Sequence, residues 1–535
     1  MADIAPNSTI KMLKDVPLDE TYEHTIYFGN TSAELDRQLA YFESKVKYTY
    51  SNNTYQRVNK GKLRISQLAD DLYDCNYMMF QNTNFGSKWF YCFVKSVEYI
   101  NNSVAEIEYE IDVMQTWNAD YSLQMCYVER EHSETDHIGD NTVPENLEIG
   151  EYFYESKGKM WGSMDGWSII VAATFELGSR VIEGITKNWD VLGDAYPGFY
   201  NRYFSGIHFN VIPADDAHIQ EFYDTMHSLF NASKIDEIVG IFMMPTNVVS
   251  SKSSSMQIAP TEITKSIEKS TSWNYGSSVK NNKLYTYPYN CLYVTSSDGN
   301  SATYKYEYFN SENCNFSCEC AMGIPPECGL IPKDYQFAIT TSDLKNHNYT
   351  LMLKKFPMCS WANDAFLAWL SQTTTSLLGA ASVGVATAAI APEMLPMVAS
   401  NLGGAVGNSV GGLGKALLMP DHAKGENRNI LSLGNLEFGY HFYNARIKNE
   451  YAKIIDEYFN RFGYATKLTK IPNRNSRPHW NYVKTIGCTL TGSLPADTAR
   501  KICSIYDNGI TFWKYGSEVG DYSLNNKPNA FGGGA

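Results

Sequence analysis

Lys88-Trp89-Phe90-Tyr91-Cys92-Phe93-Val94, a turn at Asn101-Asn102, and then Val104-Ala105-Glu106-Ile107-Glu108-Tyr109-Glu110-Ile111-Asp112-Val113 decide the fold class of this chain. Aromatic and β-branched residues crowd both runs, and the second alternates apolar and acidic residues with a period of two, which is the signal of a β-hairpin. Successive side chains on a strand point to opposite faces, so Ala105, Ile107, Tyr109, Ile111 and Val113 share one face and Glu106, Glu108, Glu110 and Asp112 the other. A solvated sheet face is the simple reading of that carboxylate row. Its self-repulsion nevertheless calls for a reason.

The hairpin's texture extends outward. The chain holds 38 Tyr and 25 Phe while charged residues make up only 19% of it, a balance that favours half-buried strands over long surface helices. The expected class is mainly β with flanking helices (α+β). Thr31 and Glu34 form a capping box ahead of a helix over 31–45, with Leu35, Leu39 and Phe42 on one face. A second amphipathic helix is read over 444–462 and stops at Gly463; a third starts at Pro495 and ends at Asn508-Gly509, leading into a strand over 510–514. Further strands are read over 284–289, 291–295, 303–309 and 481–490, and a helix over 214–230. The polar stretch 132–148 and the Ser/Lys-rich stretch 250–283 read as loops of a more exposed inserted module. The resulting segments are 1–130, 131–285, 286–360, 361–425 and 426–535.

Composition excludes several function classes. A net charge of -14 argues against a surface that wraps nucleic acid, which needs clustered Lys and Arg. The amino terminus has no basic segment followed by an apolar core, so no secretory signal is expected and the protein is expected to be made and kept in a cytoplasm. Eleven scattered cysteines do not read as a disulfide framework in a chain of this length. Cys314, Cys318, Cys320 and Cys328 cluster, but their spacing lacks the paired knuckles of common zinc sites, so no metal is expected. There is no phosphate-cradling Gly-rich loop, H-E-x-x-H or nucleophile elbow. No catalytic residue and no cofactor are assigned.

One segment departs from everything around it. From Ala365 to Gly414 the only charge is Glu393, and Pro392-Glu393 divides the run into two arms, 365–391 and 394–418. Each is long enough for a helical crossing of a bilayer core, about 20 residues. A buried Ala/Gly-rich loop has a similar composition. Against that, Gly384, Gly403, Gly404, Gly407, Gly411, Gly412 and Gly414 would each cost a soluble helix about 1 kcal/mol, whereas small residues let helices approach closely in lipid. The segment reads as a conditionally inserting, membrane-active hairpin. Its apolar residues are Phe366, Leu367, Trp369, Leu370, Leu377, Leu378, Val383, Val385, Ile390, Leu395, Val398, Leu402, Val406, Val410, Leu413 and Leu417, with Glu393 near the turn.

Several ordered motifs carry a resemblance. Met79-Phe80-Gln81-Asn82, then Gly86-x-Lys88-Trp89-Phe90-Tyr91-x-Phe93-Val94, then Glu110-Ile111-Asp112-Val113-Met114-Gln115-Thr116-Trp117 and Arg130-Glu131-His132 are followed near the other end by Asp507-Asn508-Gly509-Ile510-Thr511-x-Trp513 and Gly520-Asp521-Tyr522-Ser523-Leu524-Asn525. Together with Tyr287-Pro288-Tyr289, this order resembles the tail-knob (distal tail tube) proteins of phi-29-like short-tailed bacteriophages. The match is close over 1–132 and 430–535 and holds only by layout between them.

The resemblance implies a virion protein at the distal end of the tail, assembled in the host cytoplasm as a ring-shaped homohexamer whose tail-tube-like β domains close into a β-barrel tube. Segments 1–130, 286–360 and 426–535 would build the tube, 131–285 the knob, and 361–425 an apolar plug that leaves the lumen and enters the host membrane. Partners would be other copies of the chain, other tail and collar proteins, the host membrane, and viral DNA passing through without sequence-specific binding. Glu106, Glu108, Glu110 and Asp112 would line the lumen and repel phosphate. A receptor-binding adhesin whose apolar segment is only a plug is the alternative. A cell-wall hydrolase is a third class that nothing in the sequence demands.

Overall fold

In the computed structural model the described residues are 8–53, 61–82, 86, 88–161, 167–174, 190–192, 208–213, 237–245, 263–273, 275–276, 278–321, 326–335, 349–356, 358–359 and 438–528. They divide into two compact units, one of residues 1–151, 273–289 and 447–535, the other of residues 152–272 and 290–446. The expected hinge over 421–429, the helix over 214–230 and the whole apolar hairpin over 365–418 lie outside the described residues.

The first unit is built on nine strands from its amino-terminal part: β1 Ser8–Lys14, β2 His24–Ile26, β3 Val46–Asn53, β4 Lys62–Ile65, β5 Cys75–Asn82, β6 Trp89–Asn101, β7 Val104–Ile111, β8 Tyr121–Leu123 and β9 Cys126–Glu131. Six of them form an antiparallel sheet in the order β3-β1-β5-β6-β7-β4. The hairpin that opened the reading is there, β6 pairing β7 from Cys92–Ile111 down to Asn101–Val104. Among the described residues the sheet is open, with β3 and β4 as its two ends, and does not close into a barrel.

Alternation gives the sheet two apolar faces. Ile10, Met12, Met78, Cys92, Ala105, Ile107 and Tyr109 pack on one side with Leu63, Ile65 and Leu72. Leu13, Tyr77, Met79, Tyr91 and Phe93 pack on the other with residues of the helices. Helix α1, Ser32–Glu43, starts at the capping box: Thr31 Oγ1 and backbone N–H both donate to Glu34, at 2.8 and 2.9 Å. Its Phe42 stacks on Tyr77, with ring centroids 5.3 Å apart.

This unit also holds a two-stranded sheet of β8 with Leu490–Gly492 and a five-stranded sheet in the order β2, Ile510–Trp513, Trp480–Ile486, β9 and Tyr464–Lys470, antiparallel except for β2 against Ile510–Trp513. Helix Asn449–Phe462 begins later than the sequence period suggests, because Tyr440–Ile447 is a strand whose alternate burial also places Ile447 inward. Helix Ala496–Asn508 has Pro495 as its N-cap in extended conformation rather than inside the first turn. Gly509 follows at φ +94°, and a Cβ there would lie 2.1 Å from the Tyr482 hydroxyl. The expected strand over 284–289 is instead a 3-10 turn, Asn282–Tyr285.

The second unit has three sheets among the described residues: Tyr152–Met160, Tyr440–Ile447, Asn290–Ser296 and Ser301–Tyr304 in that order; Asp190–Leu192, His208–Pro213, Trp167–Ala173, Ile238–Pro245 and Met358–Cys359; and Ile263–Glu268, Asn313–Ala321, Glu327–Pro332 and Leu351–Leu353. The expected turn at Ser297-Asp298-Gly299-Asn300 joins Asn290–Ser296 to Ser301–Tyr304, but that strand stops at Tyr304 and a 3-10 turn follows at Tyr306–Tyr308. Ile263–Glu268 forms a strand inside the stretch read as Ser/Lys-rich loop. Cys314, Cys318 and Cys320 stand on Asn313–Ala321 and Cys328 on Glu327–Pro332, all buried free thiols.

Candidate functional site

The carboxylates of this row differ in exposure: Glu108 is exposed, Glu110 is half-buried, and Glu106 and Asp112 are buried. Asp112 is the innermost, 1% exposed, and it is not part of the strand. β7 ends at Ile111, and Asp112 caps the single turn α2, Val113–Thr116, its Oδ1 accepting the N–H of Met114 at 3.0 Å and of Gln115 at 3.1 Å. Its other oxygen accepts the Tyr77 hydroxyl at 2.9 Å. Burial pushes this carboxyl up to about 6 against hydrogen bonds that favour its charge. The assignment of Asp112 to an exposed acidic face is therefore corrected: a chain that turns into a helix after Ile111 carries the next carboxylate into the core.

Glu110 sits at the margin. Partial burial raises its pKa, but Lys501 from helix Ala496–Asn508 and Lys95 from β6 outweigh that and hold it below the ordinary value. Lys95 also donates to Glu20 at 2.7 Å. Farther along β7 from Asp112, register sets Arg64 opposite Glu106 and Lys62 opposite Glu108. Arg64 Nε reaches Glu106 at 3.0 Å, and this bond lowers the Glu106 pKa. Lys62 stands 3.4 Å from Glu106, 3.5 Å from Glu98 and 4.0 Å from Glu108. Glu108 is the exposed carboxylate of the row, with its pairing at the longest of these distances.

The face is thus a two-sign lattice rather than a ladder of one sign. Lys62, Arg64, Lys95 and Lys501 were invisible as partners in the sequence, because strand register and a helix more than 380 residues downstream bring them in. Surface pairs of this kind contribute about 0–1 kcal/mol each. Their larger effect is to cancel the self-repulsion of the acidic row and to engage each of these cations with a carboxylate.

The other motif residues are joints. Gln115 donates to Thr25 Oγ1 at 2.9 Å and to the Ile26 carbonyl at 2.8 Å, and accepts from Gln38 of α1. Thr116 Oγ1 accepts the Tyr91 N–H at 3.0 Å. α2 is therefore pinned to β2, α1 and β6 at once. Arg130 donates to the Gly463 carbonyl at 2.6 Å and pairs with Glu145, which also binds Lys283. His132 is fully buried: Nδ1 accepts the Tyr482 N–H at 2.8 Å and Nε2 faces the Asn460 carbonyl at 3.2 Å. Burial and the nearby Arg477 hold it well below the ordinary histidine value, hence neutral. The polar stretch 132–148 has no regular structure, yet it is not simply solvated. Asp136 accepts the Tyr464 hydroxyl at 2.7 Å and the Asn282 N–H at 3.1 Å. Near the carboxy terminus Tyr522 packs on both Trp480 and Trp513, each at 5.2 Å.

Among the described residues no group of His, Cys, Asp and Glu is arranged to hold a metal ion, and no helix is long and apolar enough to cross a membrane. Phe366 to Leu417 and Glu393, the residues assigned to membrane insertion, are all outside the described residues.

Residues 248–527 match the family described as the C-terminal domain of the Bacillus phage phi29 tail knob protein gp9, and residues 6–122 match the caudoviral major tail protein N-terminus. Tail knob protein gp9 of Bacillus phage B103 is 28% identical, the alignment covering 97% of this chain and 98% of that protein. The phi29 protein of the same name is 24% identical with the same coverage. Among solved structures, the bacteriophage C1 tail knob protein gp12 superposes with a TM-score of 0.61 at 16% identity, over 97% of this chain and 99% of that one.

Proposed function

This chain belongs to the family of the phi29 tail knob protein gp9, and on that premise we propose that it builds the distal tube of a short phage tail as a homohexamer, conducts DNA through it, and carries in residues 365–418 the segment that enters the host membrane. The role is structural, without catalysis. The observation that carries this reading is the end-to-end similarity to tail knob proteins, since nearly the whole chain aligns rather than one domain.

The open six-stranded sheet supports assembly into a tube. Among the described residues its ends, β3 and β4, have backbone edges to offer, and a strand edge is a template for pairing with another chain. Glu106, Glu108 and Glu110 face the lumen in this proposal, while Asp112 belongs to the wall. A face whose Lys and Arg are already engaged by carboxylates gives passing phosphates no unpaired cation to displace counterions for, so DNA slides without being held.

Two measurements test the reading. Class averages of the purified protein should display a ring with a central channel; a monodisperse monomer at all concentrations would reject the tube. Deleting 365–418 and joining its flanks should preserve the ring and abolish leakage from liposomes that the parent permeabilises. Leakage by neither protein would leave a plug without membrane activity, as an adhesin would have.

A further inference from the structure

Three thiols meet in the first unit, where the strand Trp480–Ile486 gives way to the turn before Leu490. Cys503 lies on helix Ala496–Asn508 one turn ahead of Asp507, on the same helix face. Asp507 Oδ1 accepts the Cys488 N–H at 3.0 Å and the Thr485 hydroxyl at 2.8 Å, which holds Cys488 against that face. Cys488 is a member of the buried core on which Cys503 packs. The Gln124 N–H donates to the Thr489 carbonyl at 2.9 Å, and β8 pairs with Leu490–Gly492. That pairing brings Cys126, at the start of β9, to the same place. The Cys488 thiol is within hydrogen-bonding reach of Cys503 and of Cys126. Cys126 and Cys488 are buried, whereas Cys503 is half-buried.

We propose that Cys488 and Cys503 are a latent disulfide, open while the protein is assembled in a reducing cytoplasm and closed by a small-molecule disulfide in an oxidising medium, with Cys126 as a nearby third thiol that the bond excludes. Intracellular thiols stay reduced and extracellular ones oxidise. The timing rests on the virion reading, but the bond itself does not. The more accessible Cys503 thiolate attacks one sulfur of the oxidant RSSR and expels RS⁻, leaving a mixed disulfide. The Cys488 thiolate then attacks the Cys503 sulfur and expels the second RS⁻. Two protein S–H bonds and the oxidant's S–S bond break, one protein S–S bond forms, and the two protons and two electrons leave with two RSH. Burial pushes all three thiols above the ordinary thiol range, so closure is slow. Its product ties the turn at 487–489 to helix Ala496–Asn508 and restricts the unfolded chain.

The test uses the full-length, folded protein, reduced, desalted and incubated with glutathione disulfide, then alkylated and digested with trypsin. Cleavage after Lys484, Arg500, Lys501 and Lys514 puts the two cysteines on separate peptides, 485–500 and 502–514. These should appear cross-linked in the parent and in Cys126→Ser, and unlinked in Cys503→Ser. The melting temperature should rise on oxidation of the parent and stay unchanged in Cys503→Ser. Glutathione on Cys503 without a cross-link, a cross-link that forms only in urea, or a cross-link of Cys126 to Cys488 in the parent would each overturn the proposal.

Discussion

Replacing Asp112 with Asn should stabilise the first unit at neutral pH and do nothing in acid. Asp112 is buried, its carboxyl raised from 3.8 to about 6 chiefly by desolvation. Keeping it ionised at pH 7.5 therefore costs the folded state about 3 kcal/mol relative to a carboxyl free in water. The sign follows from proton counts. Between pH 4 and 6 the folded protein holds this proton and the unfolded chain has lost it, so stability falls as pH rises through that window and levels off above it. Asn caps a helix as well as Asp does, accepts the same two N–H groups through its amide oxygen, and carries no charge. The gain of Asp112→Asn over the parent should reach about 3 kcal/mol at pH 7.5 and vanish near pH 4. Buried His132 works in the opposite sense, its contribution being lost as pH falls below the ordinary histidine value, but it is common to both proteins and cancels in the difference. Urea unfolding followed by tryptophan fluorescence reads the first unit, where Trp480 and Trp513 are fully buried. A variant less stable than the parent at pH 7.5, or a difference independent of pH, would refute the reasoning and mean that the hydrogen bonds at this cap depend on a charge.

Three further outcomes are expected. Gly463→Ala should lower stability by more than about 2 kcal/mol in urea unfolding, because Gly463 has φ +64° and a Cβ there would sit 2.2 Å from the Glu131 carbonyl; a neutral effect would place the strain elsewhere. Glu108→Lys, at the exposed and least tightly paired carboxylate of the row, should leave assembly intact and slow DNA ejection from particles, and an unchanged rate would put this face outside the lumen. Glu393→Gln should shift pH-dependent liposome leakage to higher pH, since a charged carboxylate near the bilayer centre costs about 2.5–3.5 kcal/mol and the amide no longer waits for a proton; coincident leakage curves would reject a protonation trigger.

The sheet was legible because its signal is local: period-two alternation from 104 to 111 and the Thr31/Glu34 capping box each need only a few neighbouring residues. Asp112 was misplaced because the alternation runs on for two residues after the strand has stopped, although an Asp three positions ahead of Gln115 is also a helix-start pattern. The start of helix Asn449–Phe462 was misjudged for the mirror reason, Ile447 fitting the period of the strand before it and of the helix after it. The cations that pair with the carboxylates could not be read at all. Lys62 and Arg64 reach them by strand register and Lys501 by the docking of a distant helix, and neither is encoded in local spacing.

The motif residues that single out this family are engaged in building it. Gln115 and Thr116 pin α2 to three elements, His132 and Arg130 join β9 to the segments around Asn460 and Gly463, Asp507 anchors the turn at Cys488, and Tyr522 closes over Trp480 and Trp513. Each satisfies a buried polar group or fills core volume, so each is constrained by the cost of leaving such a group unpaired, about 1–3 kcal/mol. Motif agreement at these positions is therefore an argument about architecture and carries no information on what the protein does in the tail. The features to which the proposed function assigns action are of another kind: a carboxylate face whose charge is set by partners from elsewhere in the fold, and an apolar run whose composition alone marks it. Tests of the proposed function therefore belong at Glu108, which is exposed and only distantly paired, and at 365–418, rather than at the residues that hold the scaffold together.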